Sequence, residues 1–256
     1  MKKFIPCRLC VNKHTVPGYI SKTLENGYEV VYECDCHKNW REEQDIVYRA
    51  IYSNIWCDHV SLNYNPLSDY VGVNSNKEMQ LLVKFVNNFQ EERIRESSLY
   101  LWGPNSTQKT HLVQWMGLTL LRKRYTVFYT SMHQLLKILT EFHERVEKDE
   151  MVENLKKIDF LILDESFDKK KVSLFKTGFQ IPFLEDFLKE RMEANRKATV
   201  FVSNVSIFDI TKNEFSESIQ NLIIRNTQPK GTILSFTDNY HAVNSDFKIN
   251  TIFEDL

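Results

Sequence analysis

Leu99-Tyr100-Leu101-Trp102-Gly103-Pro104-Asn105-Ser106-Thr107-Gln108-Lys109-Thr110 is the stretch whose reading decides the fold. Four apolar, strand-favouring residues lead into a polar loop that ends in Lys-Thr, and a helical pattern follows. Strand, loop and helix in that order aim a set of backbone N–H groups and a helix N-terminus at one point, which suits phosphate. Lys109 is expected to reach the β- and γ-phosphates of ATP, and the Thr110 hydroxyl to ligate Mg²⁺. The spacing is that of G-x-x-x-x-G-K-[ST] with one departure, Gln108 in place of the second glycine. Gly103, Pro104, Asn105, Ser106, Thr107, Gln108, Lys109 and Thr110 are therefore the expected nucleotide-binding residues.

A second motif lies further along the chain. Ile158-Asp159-Phe160-Leu161-Ile162-Leu163-Asp164-Glu165 is an apolar strand that ends in two acids. An acid at the C-terminal end of a buried parallel strand stands at the sheet edge where ligands bind. Asp164 is expected to hold Mg²⁺ through water, and Glu165 to orient or deprotonate the attacking water. The segment between the motifs has room for a helix, a strand and a second helix. That intervening strand, Thr126–Tyr129, suggests the P-loop class with an inserted strand and a catalytic glutamate. The run Thr199–Val202 leads to Ser203-Asn204, and Asn204 is placed to sense the γ-phosphate. Arg225 ends a helical stretch and suits an arginine finger acting on a neighbouring subunit.

Apolar runs and helical patterns alternate from Ser97 onward. Strands are expected at Leu99–Trp102, Thr126–Tyr129, Ile158–Leu163, Thr199–Val202 and Thr232–Phe236. Helices are expected at Thr110–Arg124, Ser131–Glu147, Pro182–Ala194 and Phe215–Ile224. Continuous apolar strands between helices mean a parallel sheet covered on both faces, an α/β fold. Upstream, residues 41–70 are partly helical, and residues 75–95 carry an amphipathic helix. The expected organisation is a small module over 1–40, a helical linker over 41–95 and the ATPase domain over 96–256.

The 33 Lys+Arg balance 34 Asp+Glu, so a histone-like coat or a polybasic membrane binder is excluded, although a local basic groove is not. No apolar run is long enough to span a membrane, and the start MKKFIPCRLC is too broken for a signal-peptide core. A cytoplasmic, reducing location is expected. There, clustered cysteines more often mean metal than disulfide. Cys7, Cys10, Cys34 and Cys36 form two close pairs, and two such pairs can meet on one Zn²⁺. His14 and His37 are possible substitutes for one ligand, and Cys57 reads as core or surface. Four thiolates on one Zn²⁺ would lower the formal charge of residues 1–40 from +2 to zero, which suits protein docking more than nucleic-acid binding. Lys169, Lys170 and Lys171 between Phe167 and Phe175 are the first place to look for single-strand contacts.

The loop GPNSTQKT, the strand ends FLILDE and VFVSN, and the stretch IIRNTQPKGTILSFTDNY resemble AAA+ ATPases of the DnaC/DnaI helicase-loader and IstB transposition-helper group. The resemblance covers about Leu99–Tyr240. It implies an AAA+ core with a five-stranded parallel sheet and no C-terminal lid. It also implies ATP hydrolysis and binding to single-stranded DNA and to a replicative, DnaB-type helicase. A homo-oligomer is implied when ATP is bound, with Arg225 as the finger. A zinc-binding N-terminal domain docks on the helicase in some loaders, and the insertion FDKKKVSLFKTGFQIPFLEDFL looks like phage-encoded members. The family's D-x-Y-R ending is here Asp238-Asn239-Tyr240-His241, without the final Arg. Two other readings are an IstB-like transposition helper and an adaptor whose loop, with Gln108, no longer hydrolyses ATP.

Overall fold

The computed structural model describes residues 4–10, 17–55, 64–70, 76–140, 145–169, 180–227 and 233–236. They divide into two compact units, Met1–Tyr52 and Ser53–Leu256. Among the described residues no helix is long and apolar enough to cross a membrane.

The first unit is a hairpin followed by a helix. Strands β1 (Tyr19–Thr23) and β2 (Glu29–Glu33) pair antiparallel, with Tyr19 opposite Glu33 and Thr23 opposite Glu29. Gly27, with φ of +82°, follows Asn26 in the connecting turn. Asn-Gly is a common hairpin turn pair, but the flanking segments YISKT and EVVYE do not alternate apolar and polar, so their pattern does not announce strands. Helix α1 (Asp35–Tyr52) begins directly after Cys34, takes in Cys36 and crosses residue 40 without a break.

The second unit is a three-layer α/β domain. Short helices α2 (Pro66–Asp69), α3 (Asn76–Asn87) and α4 (Glu92–Arg95) come first. Strand β3 (Leu99–Trp102) leads to α5 (Lys109–Arg122), then β4 (Val127–Ser131), α6 (Met132–Thr140) and α7 (Arg145–Lys157). Strand β5 (Phe160–Asp164) is followed by α8 (Gln180–Lys189), which continues as a π-turn over Glu190–Ala194. Strand β6 (Ala198–Ser203), a 3₁₀ segment over Ile207–Asn213, helix α9 (Glu217–Thr227) and strand β7 (Ile233–Ser235) complete it.

All five strands of this sheet run parallel, in the order β4-β5-β6-β3-β7. Every residue of β5 and β6 is buried, as strands covered on both faces must be. The α/β class and the five-stranded parallel sheet expected from the sequence are thus borne out. The strand inserted between the loop strand and the acidic strand is β6. The Val127–Ser131 strand, which intervenes in the chain, lies at the sheet's edge instead. The single helix expected over Ser131–Glu147 is instead α6, with α7 beginning at Arg145. The question of a C-terminal lid falls on residues outside the described ones.

Close packing sets the layers. At Gly117 of α5 an added Cβ would meet Ile55 Cδ1 at 2.7 Å and Ile162 Cδ1 at 3.2 Å, so the helix lies tight on the sheet where it has no side chain. Phe167 stacks among Tyr100, Phe201 and Phe215 in the main core.

Candidate nucleotide and metal sites

The loop between β3 and α5 is built by close backbone approach. Gly103 has φ of +151°, and a Cβ there would lie 2.0 Å from the Phe236 carbonyl oxygen. Phe236 N–H donates to the Trp102 carbonyl at 2.8 Å, which pins β7 beside the loop's first residue. Two non-glycine residues then turn left-handed, Ser106 at φ +63° and Gln108 at φ +57°. The chain thus keeps a glycine-type path with larger residues, at about 1–2 kcal/mol each. Gln108 is visible in the sequence as a departure from the motif, whereas no motif position marks Ser106 as left-handed.

Lys109 is buried, and its ammonium donates to Gly103 O at 2.8 Å, Pro104 O at 2.7 Å and Thr107 Oγ1 at 2.9 Å. Phosphate oxygens offer the same kind of acceptor with full charge, so an incoming polyphosphate can replace these partners. Thr107 Oγ1 in turn donates to Pro104 O at 3.0 Å, and Tyr70 OH donates to Thr107 O at 3.3 Å.

The two motifs meet at one carboxylate. Thr110 Oγ1 donates to Asp164 Oδ2 at 2.8 Å, and Tyr129 OH donates to the same oxygen at 2.7 Å. The Glu165 N–H donates to Asp164 Oδ1 at 2.7 Å. Asp164 is only 4% exposed, so these donors replace water around its charge. Burial first, and then the Asp164 charge, push the Tyr129 phenol far above its ordinary value, so it stays a donor. A hydroxyl and a carboxylate in this arrangement fit Mg²⁺, which Thr110 and Asp164 would hold.

Glu165 is exposed and sits at φ +52°, and Phe167 at φ +62°. The buried residue between them holds the turn. Ser166 Oγ donates to Leu163 O at 2.8 Å, and Ser166 N–H donates to Val202 O at 2.8 Å. Ser203 Oγ donates to Ser166 O at 2.5 Å. The tip of β6 therefore fixes the backbone that carries Glu165. Strain kept in place by its surroundings beside a reactive group is a mark of a functional site.

A cleft of about 420 Å³ opens over this edge, lined by the loop residues from Asn105 to Thr110 and by Asp164, Glu165, Ser203 and Asn204. That is large enough for a nucleotide's phosphates and sugar. Asn204 Nδ2 donates to Asp168 Oδ2 at 3.4 Å and leaves the amide at the rim of the cleft. Arg225 is not among the residues lining it. It lies exposed on α9, with its guanidinium 3.1 Å from Glu193 Oε1.

Of the insertion's residues, Lys169 is exposed and paired with Glu214. Phe167 is fully buried in the core, so it offers no ring to a nucleic-acid base. Lys170, Lys171 and Phe175 lie outside the described residues, as do His14, Cys57 and the Asp238–His241 ending.

The four cysteines form a second candidate site, within the first unit. Their sulfurs all lie within 4.8 Å of one another. Cys7 Sγ is 3.8 Å from Cys10 and 3.7 Å from Cys34; Cys36 Sγ is 3.3 Å from Cys10 and 3.4 Å from Cys34. A tetrahedral Zn²⁺ with Zn–S of about 2.3 Å needs sulfurs about 3.8 Å apart. The donor set and spacing fit that ion. His37 does not join it: its Nδ1 lies 2.8 Å from Glu33 Oε1, and its ring packs against Phe4, Tyr19 and Trp40.

Comparison with known proteins agrees with this geometry. Residues 83–209 match the family described as IstB-like ATP binding protein, a span that holds the loop, the acidic strand and the Ser203–Asn204 tip. Among curated proteins none matches. The fold is similar to that of DnaI, with a TM-score of 0.55 and 17% identity over 72% of this chain and 96% of that one. It is similar to that of the DnaC helicase loader, with a TM-score of 0.56 and 17% identity over 70% of this chain and 100% of that one. The replication initiator DnaA, solved with AMPPCP and single-stranded DNA, gives 0.57 and 15% over 75% and 56%. At these identities the likeness is one of fold. The family match over residues 83–209 bears out the sequence's resemblance to the IstB-like group, and the shared fold agrees with the P-loop architecture.

Proposed function

We propose that this chain, whose residues 83–209 match the IstB-like ATP-binding family, is an ATP-hydrolysing loader of the replicative DNA helicase. The observation that carries the ATPase part is the convergence of Lys109, Thr110, Asp164 and Glu165 on one cleft at the C-terminal edge of a parallel sheet. The loader part is supported by the fold shared with DnaI and the DnaC helicase loader.

In this reading the loop N–H groups and Lys109 bind the phosphates, and Mg²⁺ would supply charge neutralisation there when bound. Thr110 and Asp164 hold that ion's ligand shell. Glu165, on its fixed turn, takes the proton of the attacking water, and Asn204 orients the γ-phosphate or that water. Arg225, exposed and outside its own cleft, would exchange its Glu193 partner to complete a neighbour's site in an ATP-bound homo-oligomer. The Cys7, Cys10, Cys34 and Cys36 cluster holds structural Zn²⁺, and its unit docks on a DnaB-type helicase. Single-stranded DNA is the expected nucleic acid, and the cytoplasm the expected location. The loop insertion's likeness to phage members makes a phage origin part of the same proposal.

The family description favours a second reading, a transposition helper of the IstB kind. The strained, glycine-poor loop favours a third, a nucleotide-binding adaptor without turnover. One experiment separates all three. The purified chain is mixed with its host's hexameric helicase, ATP and a closed single-stranded circle. Helicase is expected on the circle only with the chain and ATP present. Glu165→Gln is expected to keep ATP binding and to lose at least ~100-fold in turnover. Unchanged turnover in Glu165→Gln removes its assigned role. Wild-type binding without turnover selects the adaptor, and affinity for a transposase with none for helicase selects the transposition helper.

A further inference from the structure

Tyr129 was not singled out by its sequence context, yet its phenol reaches the carboxylate that the nucleotide's cation needs. Asp164 Oδ2 accepts two hydroxyl donors, Thr110 at 2.8 Å and Tyr129 at 2.7 Å, while Oδ1 accepts the Glu165 N–H. When Thr110 turns a lone pair to a cation it can still donate its proton to Asp164. Of the two bonds to Oδ2, the Tyr129 bond is the one whose donor is not itself asked to ligate the cation. It therefore fixes the carboxylate plane before and after the ion arrives.

Tyr129 is itself held from outside the sheet. It lies on β4, whose inner side pairs with β5, Tyr129 facing Ile162. On the outer side its N–H donates to the Ser53 carbonyl at 3.0 Å, and its own carbonyl accepts from Asn54 Nδ2 at 3.0 Å. Ser53 and Ile55 are buried, and Asn54 turns left-handed between them at φ +54°. Asn is among the few residues that adopt this turn readily. The segment thus works as a clamp on one strand residue, with Ile55 wedged against α5 near Gly117.

We propose that Tyr129 is a positioning residue for the cation of the nucleotide site, acting through Asp164 and itself set by the Ser53–Asn54 clamp. This rests on the nucleotide reading above. Its consequence is that the segment directly after α1 tunes how much divalent metal the site requires.

The test uses Mn²⁺ as the probe, titrated into the full chain with a non-hydrolysable ATP analogue and followed by water-proton relaxation. Binding of the analogue in chelator is measured in parallel. For Tyr129→Phe the Mn²⁺ concentration at half-saturation is expected to rise about tenfold, the scale of one lost hydrogen bond to a charged group. Metal-free analogue binding is expected to stay within about twofold, because the phenol touches no phosphate-binding group. Asn54→Ala keeps every side chain of the site and is expected to move the Mn²⁺ curve in the same direction by a smaller factor. A purely structural role would weaken both kinds of binding together. Unshifted or leftward Mn²⁺ curves in both variants overturn the proposal. A wild-type chain that binds no analogue, with or without metal, overturns the nucleotide reading and the proposal with it.

Discussion

Gln108 shows how a single residue can depart from a motif without destroying its geometry. It holds the left-handed conformation that a glycine would take there, and its Oε1 is buried with no hydrogen-bond partner among the described residues. Left-handed strain costs about 1–2 kcal/mol, and an unpaired buried polar atom about 1–3 kcal/mol. Glycine removes both but adds freedom to the unfolded chain worth about 0.5–1 kcal/mol. Gln108→Gly is therefore expected to stabilise the domain by roughly 1–4 kcal/mol. Gln108→Ala, which keeps the strain and loses only the amide, is expected to gain less. Urea midpoints of the three proteins check this; a Gly variant less stable than wild type would mean the amide has a partner worth keeping. The loop was legible in the sequence because its spacing and its Lys-Thr end are local features. Tyr129 was not, since a tyrosine in a strand reads simply as a β-former and its bond to Asp164 spans 35 residues.

At the level of elements, the continuous apolar runs made the strands readable, while their order in the sheet was not. Placing β6 between β3 and β5 depends on pairings such as Leu101 with Val202, which leave no trace in either segment alone. The π-turn after α8 is similar: no glycine or proline announces it. It carries Arg191, fully buried, which donates to Leu155 O at 2.7 Å, Ile158 O at 2.9 Å, Ala198 O at 2.6 Å and Thr199 Oγ1 at 2.9 Å. The side chain thus caps the end of α7 and ties it to the start of β6. Burial penalises its charge, and these acceptors offset that cost. Arg191→Ala leaves several carbonyls and a cavity behind, so a loss of about 3–5 kcal/mol is expected. Arg191→Lys, whose single ammonium cannot span the same fork of acceptors, is expected to recover less than half of it. Denaturant melts of both variants decide the point, and a Lys variant equal to wild type would refute the fork argument.

Across the whole molecule the two units rely on different sources of stability. The second unit has an extensive core of aliphatic and aromatic residues. In the first, the buried apolar side chains among the described residues are Cys10, Cys34 and Ala50, while Ile5, Tyr28, Val31 and Ile51 stand exposed. So little apolar burial cannot offset the entropy of ordering a hairpin and a helix. A thiolate-bound Zn²⁺ can, at about 10–16 kcal/mol in comparable small domains. The thiol environment sets the pH dependence. Hydrogen bonds at the Cys10 and Leu9 backbone bring Cys7 down to about 7. For Cys36 a hydrogen bond at the Cys7 backbone acts downward, but burial and the neighbouring sulfurs prevail and raise it to about 12; Cys34 is raised as well. Without metal, Cys34 and Cys36 keep their protons at neutral pH, and Zn²⁺ must displace them. Below about pH 7 it must also displace one from Cys7, so zinc affinity falls more steeply on the acid side. Chelator added to the full chain is therefore expected to unfold residues 1–52 and to act at lower concentration at pH 6 than at pH 8. The nucleotide unit should stay folded throughout, because its core includes none of the four cysteines. Limited proteolysis reads both outcomes: early cuts before Ser53, with a resistant fragment beyond it. A first unit that resists protease in excess chelator at pH 6 would mean that metal is not what holds it together.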